Sequence, residues 1–519
     1  MLTKHLYLII LTVIIFFGFF IRTYRLSELP SGFFADEASI GYNAYTILTK
    51  GTDEYGTPYP IFFRAFGEYK SPIQIYTTVP FIALFGLNEF AVRLPSAIFG
   101  TLTILAIYLL TKELFTHHKK HGFIGILAAF FLAISPWHIH LSRVAFELMP
   151  FVFFTTLGIY LFLKAQHKSI FFYFSIVSFT LALYSYFPAR IFIPLFCLGI
   201  IIVYCKFFLQ NKKIIFLSFF LLLILLIPFL QYTFSPVGFA RWNQVNIFSQ
   251  PQNNQSIPAH IINNYISHFS FDFLFLKGDI GMPGQFITRH SVRGIGELYL
   301  FQLPLILLCI FFLWKKRESR ILFLLSVWLV LYPIGSMFTT DQSAQATRSI
   351  IGIIPLQIFS AVGLWWIMNL LKCFETLKRI HFFNLFSRGI IIIIIFISFF
   401  NFVNLYFVEY PLYSSDFWGW QYGARDIVQY FALQEKNYDE LIMAPEFNAP
   451  EIFFKFYALN TCIKCRVGLS ENSYKPRRKQ LFAVTPTYLQ NNPVYQLKVI
   501  KTIFYPNNTI AFQIGEIVQ

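Results

Sequence analysis

Charge is scarce in this sequence. Asp, Glu, Lys and Arg make up only 13% of its 519 residues, about half the share usual in soluble domains. Apolar residues make up 56%, more than a water-soluble core can hide, so a soluble globular protein is excluded and a polytopic membrane protein is indicated. Acid is scarcer than base, 25 residues against 41, giving a net charge of +16. No long Lys/Arg run and no nucleic-acid motif accompanies that excess. It therefore points to basic cytoplasmic loops and anionic lipid, not to nucleic acid. No Walker loop, GxGxxG fingerprint, zinc-protease helix or nucleophile elbow is present, so the common nucleotide-binding and hydrolase signatures are missing. Internal repeats and low-complexity stretches are lacking too.

Cysteine is sparse, with six in all. Cys197, Cys205, Cys309 and Cys373 lie in or beside apolar runs, where cysteine is a small packing residue. Cys462 and Cys465 form a Cys-x-x-Cys in a polar region. A local disulfide is expected there, since a lone pair is too little for zinc. The N-terminus lacks a small-x-small cleavage site, and Arg22 and Arg25 follow its apolar run directly, so it is read as an uncleaved first span.

What is present is a series of apolar runs near 5–22, 92–111, 122–137, 148–164, 169–187, 190–206, 214–232, 298–314, 321–337, 349–370 and 389–407, about eleven spans. A further stretch, 72–90, is apolar enough to cross. If it lies along the interface instead, the basic loops "TKELFTHHKKHG", Lys164/Lys168, Lys206 with Lys212/Lys213, "KKRESR" and Lys372/Lys378/Arg379 all fall on one side. The positive-inside rule selects that arrangement. The N-terminus is then cytoplasmic, and 23–91, 138–147, 233–297 and everything after about 408 are extracytoplasmic. The expected organisation is a membrane domain, 1–407, and a small extracytoplasmic α/β domain, 408–519. In the latter, "QYGARDIVQYFAL" and "APEIFFKFYAL" read as helices, and "DELIMAP", "KQLFAVTP" and "NNTIAFQIGEI" as strands.

The scarce acids stand in telling places. Asp36 and Glu37 follow the first span almost at once and open a stretch able to form a surface helix to about Lys50. One reading is a helix cap that favours the dipole. The other is a general base at the bilayer edge, its basicity raised by partial desolvation. Glu68 and Lys70 flank Tyr69 before the interfacial segment, and Glu147 closes the next external loop, where it can pair with Arg143 one turn away. The external loops also carry Arg64, Arg93, Arg241, Arg289, Arg293 and Arg348, with Asp279, His290 and Asp341 among them. Together these cations suggest a site for an anion such as phosphate at the outer headgroup level.

In this order, "ADEA", "EYKSP" and "LFGLNEFAVRLPSAIFGTLTI" resemble the polyprenyl-phosphate-sugar-dependent membrane glycosyltransferases of the GT-C class. That class contains the protein O-mannosyltransferases and the lipid A aminoarabinose transferase. The resemblance is strongest over 1–165. It implies a mainly α bundle with two juxtamembrane helices in the first external loop, matching about 36–50 and 72–90. It implies that Asp36, Glu37 and Glu147 are catalytic. It also implies an acid–Lys element at Glu68 and Lys70, with Tyr69 interposed. One departure is Ser39, where the aminoarabinose transferases carry Arg. Phosphate contact then falls to Arg64, Lys70, Arg143 and Arg289, and substrate binding to Glu68, Tyr69, His290, Arg293 and Arg348. The implied reaction moves a sugar from a polyprenyl phosphate to a lipid, glycan or protein acceptor on the outer face, with Asp36 as base and inversion at the anomeric carbon. A lipid-borne donor also accounts for the missing nucleotide-binding domain. A divalent metal is left open, with no convincing ligand cluster. A flippase for lipid-linked sugars and a glycan ligase are the rival readings. The uninterrupted apolar spans, with charge gathered on one face, favour surface chemistry over transport.

Overall fold

The structure is a computed structural model that describes residues 2–248, 256–279, 288–340, 344–378, 381–459, 461–468, 473–491 and 496–518. Helix dominates. Among the described residues, seven helices are long and apolar enough to cross a bilayer, and the pair His121–Ile134 and Pro136–Ser142, bent by 60°, makes an eighth if taken as one span. The shorter apolar helices Ile170–Leu183, Ala189–Val203 and Gln302–Lys315 fall on the remaining apolar runs. The expected bundle of about eleven apolar segments is thus present, several of them shorter than the runs suggested.

The segment between the first helix and α4 (Glu89–Leu114) is where the fold serves the site. After α1 (Leu2–Thr23) comes α2 (Ala35–Lys50), then a two-stranded hairpin of β1 (Phe63–Ala65) and β2 (Glu68–Lys70), then α3 (Pro72–Phe85). The hairpin turns on Phe66 and Gly67, with φ of 51° and 78°. Two left-handed residues make the turn whose twist suits a tight hairpin, and Gly67 adopts that conformation without steric cost. α3 begins with Pro72 in its first turn, where the missing N–H costs nothing. Its 14 residues rise roughly 21 Å, short of the ~30 Å apolar thickness of a bilayer. α4 (Glu89–Leu114) follows, then α5 (His121–Ile134), α6 (Pro136–Ser142) and α7 (Leu148–Ala165).

Two buried arginines, Arg93 and Arg143, hold this segment to the bundle, and a third, Arg22, ties the end of α1 to α5 and α6. Arg93, on α4, donates to both carboxylate oxygens of Glu37 at 2.9 Å each, and to the carbonyls of Leu26 (3.2 Å), Pro30 (3.1 Å) and Gly32 (2.7 Å). All five guanidinium N–H groups are thereby used. Arg143 donates to the carbonyls of Ile21 (2.7 Å), Tyr24 (2.7 Å) and Leu29 (3.1 Å) and to the Tyr406 hydroxyl (3.2 Å). Arg22 bonds the carbonyls of Gly18, Ala133 and Leu132, and lies 2.9 Å from His138 Nδ1.

The C-terminal part carries a five-stranded sheet in the order β4 (Cys465–Val467), β3 (Glu440–Met443), β5 (Gln480–Val484), β7 (Ile510–Val518), β6 (Gln496–Phe504). β3 pairs in parallel with β4 and β5, and the other pairings are antiparallel. The expected helices appear as Ala424–Gln434 and Glu451–Ala458. Cys462 and Cys465 form a disulfide. The core of this sheet does not stop at residue 408. Phe431, Phe453 and Phe456 share one apolar cluster with Ile40 and Tyr42 of α2 and Ile75 and Ile82 of α3. A Cβ on Gly41 would lie 2.6 Å from the Phe456 ring, so only glycine lets these helices approach so closely. Lys455 pairs with Glu54 at 2.8 Å, and Arg425 with Glu89 at 3.3 Å, across the same boundary.

Replacing Arg93 by Ala leaves a buried carboxylate unpaired and should cost about 3–5 kcal/mol, enough to collapse the yield of folded protein. Arg64→Ala, on the exposed side of the hairpin, should stay within about 0.5 kcal/mol. Melting of the detergent-solubilised variants, followed by tryptophan fluorescence, checks both.

Candidate active site

A cavity of about 300 Å³ opens between the segment from Phe34 to Ser71, the start of α7 and the loops that precede Ala189–Val203 and Ile353–Lys378. Three carboxylates (Asp36, Glu68, Glu147) and four cations (Lys70, Arg241, Arg289, Arg348) line it, with Tyr69, Tyr186 and His290. Each comes from a different local rule. Asp36 and Glu37 are consecutive on a helix that turns about 100° per residue, so one faces the cavity and the other the interior. Lys70 ends β2 opposite Phe63, on the inward side of the hairpin. Glu147 stands just before α7 and accepts the backbone N–H of Ser71, which leads into α3.

The charges are coupled. Lys70 Nζ lies 2.7 Å from Asp36 Oδ1, and Arg241 Nη1 lies 2.7 Å from Glu68. His290 Nδ1 is 3.3 Å from the buried Asp279. Arg289 lies over the Phe34 ring at 4.2 Å and donates to the Trp418 carbonyl at 3.0 Å. Burial pushes the Asp36 carboxyl up, but the Lys70 ammonium, with Arg241 and Arg289, outweighs it and holds Asp36 below its ordinary value. Burial pulls Lys70 down, and Asp36, Glu147 and Glu68 more than restore it, so Lys70 stays charged. Glu147 goes the other way: burial, against the pull of Lys70, lifts it to about 7. The acid with raised basicity is therefore Glu147 and not Asp36, because Asp36 has a cation in direct contact.

The structure sorts the candidate residues. Asp36, Glu68, Tyr69, Lys70, Glu147, Arg289, His290 and Arg348 meet at the cavity. Glu37 does not. It is fully buried, bound to Arg93, and also accepts the N–H of Ala145 at 2.9 Å and of Phe34 at 3.3 Å, which is the capping role and not a catalytic one. Arg143 is spent on backbone carbonyls and is sealed from the cavity. Arg64 alternates away from Phe63 and Ala65 and stacks over Tyr55 at 4.8 Å in solvent. Arg293 is exposed and lies over Tyr413 at 4.6 Å, outside the cavity lining. Asp341 lies outside the described residues. Arg241 belongs to the site although only its external position distinguished it in the sequence. Tyr186 carried no sequence signal. Among the described residues one trio of side chains is close enough to hold an ion, His117, His118 and Glu318, and it is not part of this cavity.

Comparisons place this geometry in context. A model of the dolichyl-phosphate-mannose-protein mannosyltransferase family matches residues 69–232. An uncharacterized protein of Aquifex aeolicus is 25% identical over 191 residues, 36% of each chain, so the match spans about a third of that relative's length. ArnT from Cupriavidus metallidurans, in its apo state, superposes with a TM-score of 0.57 at 13% identity, covering 99% of this chain and 98% of that one. The same protein bound to undecaprenyl phosphate gives 0.56 at 12% identity, with 99% and 97% covered. The Archaeoglobus fulgidus oligosaccharyltransferase tethered with an acceptor peptide gives 0.56 at 13% identity, covering 98% of this chain and 74% of that one. The fold is that of the GT-C glycosyltransferases.

Because the raised Glu147 binds a proton in the folded state that it has lost when unfolded, it stabilises the fold at low pH. That contribution fades as pH rises from the ordinary glutamate value of 4.5 through about 7. Glu147→Gln should therefore melt with less loss between pH 5 and pH 8 than the wild type. Parallel melting curves at the two pH values measure this.

Proposed function

We propose that this chain, a polytopic membrane protein with a GT-C fold, transfers a sugar from a polyprenyl phosphate to an acceptor hydroxyl or amine at the extracytoplasmic surface. The observation that carries the reading is the Asp36–Lys70 contact at the mouth of a cavity with more cations than carboxylates. With Glu147 at about 7, half of its negative charge is absent near neutrality, and the cation excess grows. Such a site suits the phosphodiester of a lipid-linked sugar and the phosphate monoester that leaves it, and Lys and Arg supply both charge and donors. The family match over 69–232 and the lipid-phosphate-bound structural neighbours support the same class of donor.

The pair also suggests how the base is armed. Lys70 depresses Asp36 and keeps it ionised. A donor phosphate entering beside Lys70 takes part of that ammonium's attention and adds a second negative charge nearby. Both changes raise the basicity of Asp36. The acceptor oxygen then attacks the anomeric carbon while Asp36 removes its proton, the bond from that carbon to the phosphate oxygen breaks, and Lys70 with Arg289 holds the polyprenyl phosphate that leaves. Attack from the face opposite the phosphate inverts the anomeric centre. The basic loops set the orientation: N-terminus inside, cavity and C-terminal domain outside.

Asp36→Asn should lower turnover by about 10²–10⁴-fold, the usual worth of a general base. Lys70→Ala should act first on donor affinity, with a raised KM. Release of free polyprenyl phosphate from a radiolabelled lipid-linked sugar in proteoliposomes reads both. Wild-type release with Asp36→Asn would remove Asp36 as the base. Lipid-sugar movement across the bilayer with no release in the wild type would make the protein a flippase.

A further inference from the structure

The end of the bundle remote from the cavity holds a cluster for which the chemistry above has no use. α4 starts at Glu89, beside the C-terminal domain, and its 26 residues rise roughly 39 Å to Leu114. The turn that follows presents His117 and His118. The turn between Gln302–Lys315 and Ser319–Leu331, some two hundred residues along the chain, presents Glu318. His117 Nε2 lies 2.8 Å from Glu318 Oε1. His118 Nε2 lies 3.5 Å from the same oxygen, at the limit of a hydrogen bond. The three donor atoms all lie within 4.8 Å of one another. A tetrahedral ion with bonds of about 2.0–2.2 Å to nitrogen and oxygen spaces its donors by roughly 3.3 Å, so a small adjustment suffices to admit one.

The cluster is organised as well as close. The His118 ring is packed by Trp365 at 5.4 Å and Phe312 at 6.2 Å between centroids, and the His118 carbonyl meets the His121 ring at 2.9 Å. One imidazole is therefore fixed from behind. The other, 48% exposed, opens the site to solvent for entry and for a water ligand. Two imidazoles and one carboxylate select a borderline metal of the zinc type over magnesium or calcium, which prefer all-oxygen sets. The neighbouring Lys119, Lys120, Lys315, Lys316 and Arg317 oppose any cation held by charge alone, so binding must come from the coordinating lone pairs.

We propose that His117, His118 and Glu318 bind one zinc ion, which ties the turn after α4 to the turn between Gln302–Lys315 and Ser319–Leu331 on the face opposite the cavity. The test uses the full chain in detergent, stripped with a chelator and dialysed against ZnCl2, with zinc measured by mass spectrometry. The wild type should hold close to one zinc per chain. His117→Ala, a change at an exposed ring, and Glu318→Gln should each hold at least tenfold less. His290→Ala, in the cavity, should hold as much as the wild type. Cobalt substituted for zinc should give the intense visible bands of a low-coordinate nitrogen–oxygen site in the wild type and lose them in His117→Ala. The proposal is overturned if the wild type takes up no zinc above background, if His117→Ala and Glu318→Gln retain it, or if His290→Ala alone loses it.

Discussion

The five-fold grip of Arg93 is the constraint on which the external architecture rests. Its guanidinium joins α4 to both oxygens of Glu37 and to three carbonyls of the irregular segment before α2. The rings of Phe33 and Trp420 lie over it at 5.4 and 5.8 Å, bringing the C-terminal part into the same node. A fully buried charge of each sign is stable only when every donor and most lone pairs are matched, and here they are. Fixing Glu37 fixes the rotation of α2, and the rotation of α2 aims Asp36 at the cavity. The buried member of the acid pair thus sets the position of the one that lines the cavity.

The cavity works on a different principle. Its ions are matched in pairs but not in number, and the pairs are open to solvent at one end. Asp36 is about one-third exposed while its partner Lys70 is nearly sealed. Lys70 is thus a permanent cation with a replaceable counter-ion. That is the arrangement expected of a group that exchanges a protein carboxylate for a ligand anion. Glu147, tied to the Ser71 backbone between hairpin and α3, links the loop before α7 to the loop before α3 and shifts the cavity's net charge around neutral pH.

Much of this was legible in the residues. The bundle, the short 72–85 helix and the strands at 440–443, 480–484 and 510–518 follow from apolar runs and period-two patterning. The short β4 and the exposed β6 were not seen, having little burial to pattern them. In the site, Asp36, Glu68, Lys70 and Glu147 were legible because acids at a membrane edge are rare. The arginines were not separable. Arg93 and Arg143 bind backbone carbonyls, Arg64 and Arg293 lie over aromatic rings outside the cavity, and Arg241, Arg289 and Arg348 reach it. Nothing local distinguishes these fates, since each is set by carbonyls, rings or carboxylates distant in the chain. The direction of the Asp36 shift was missed for the same reason: desolvation is readable from position, a partner 34 residues away is not.

The apolar cluster shared by α2, α3 and the C-terminal sheet has a consequence for modularity. The tail that begins near 408 is contiguous in sequence, yet the helix bearing Asp36 is upholstered on one side by its phenylalanines, with Gly41 nested against Phe456. Swapping this tail with that of a distant homologue would exchange half the bed in which the helix bearing Asp36 lies. A working chimera would therefore have to carry residues 33–50 along with the tail, making the natural unit of inheritance a discontinuous one.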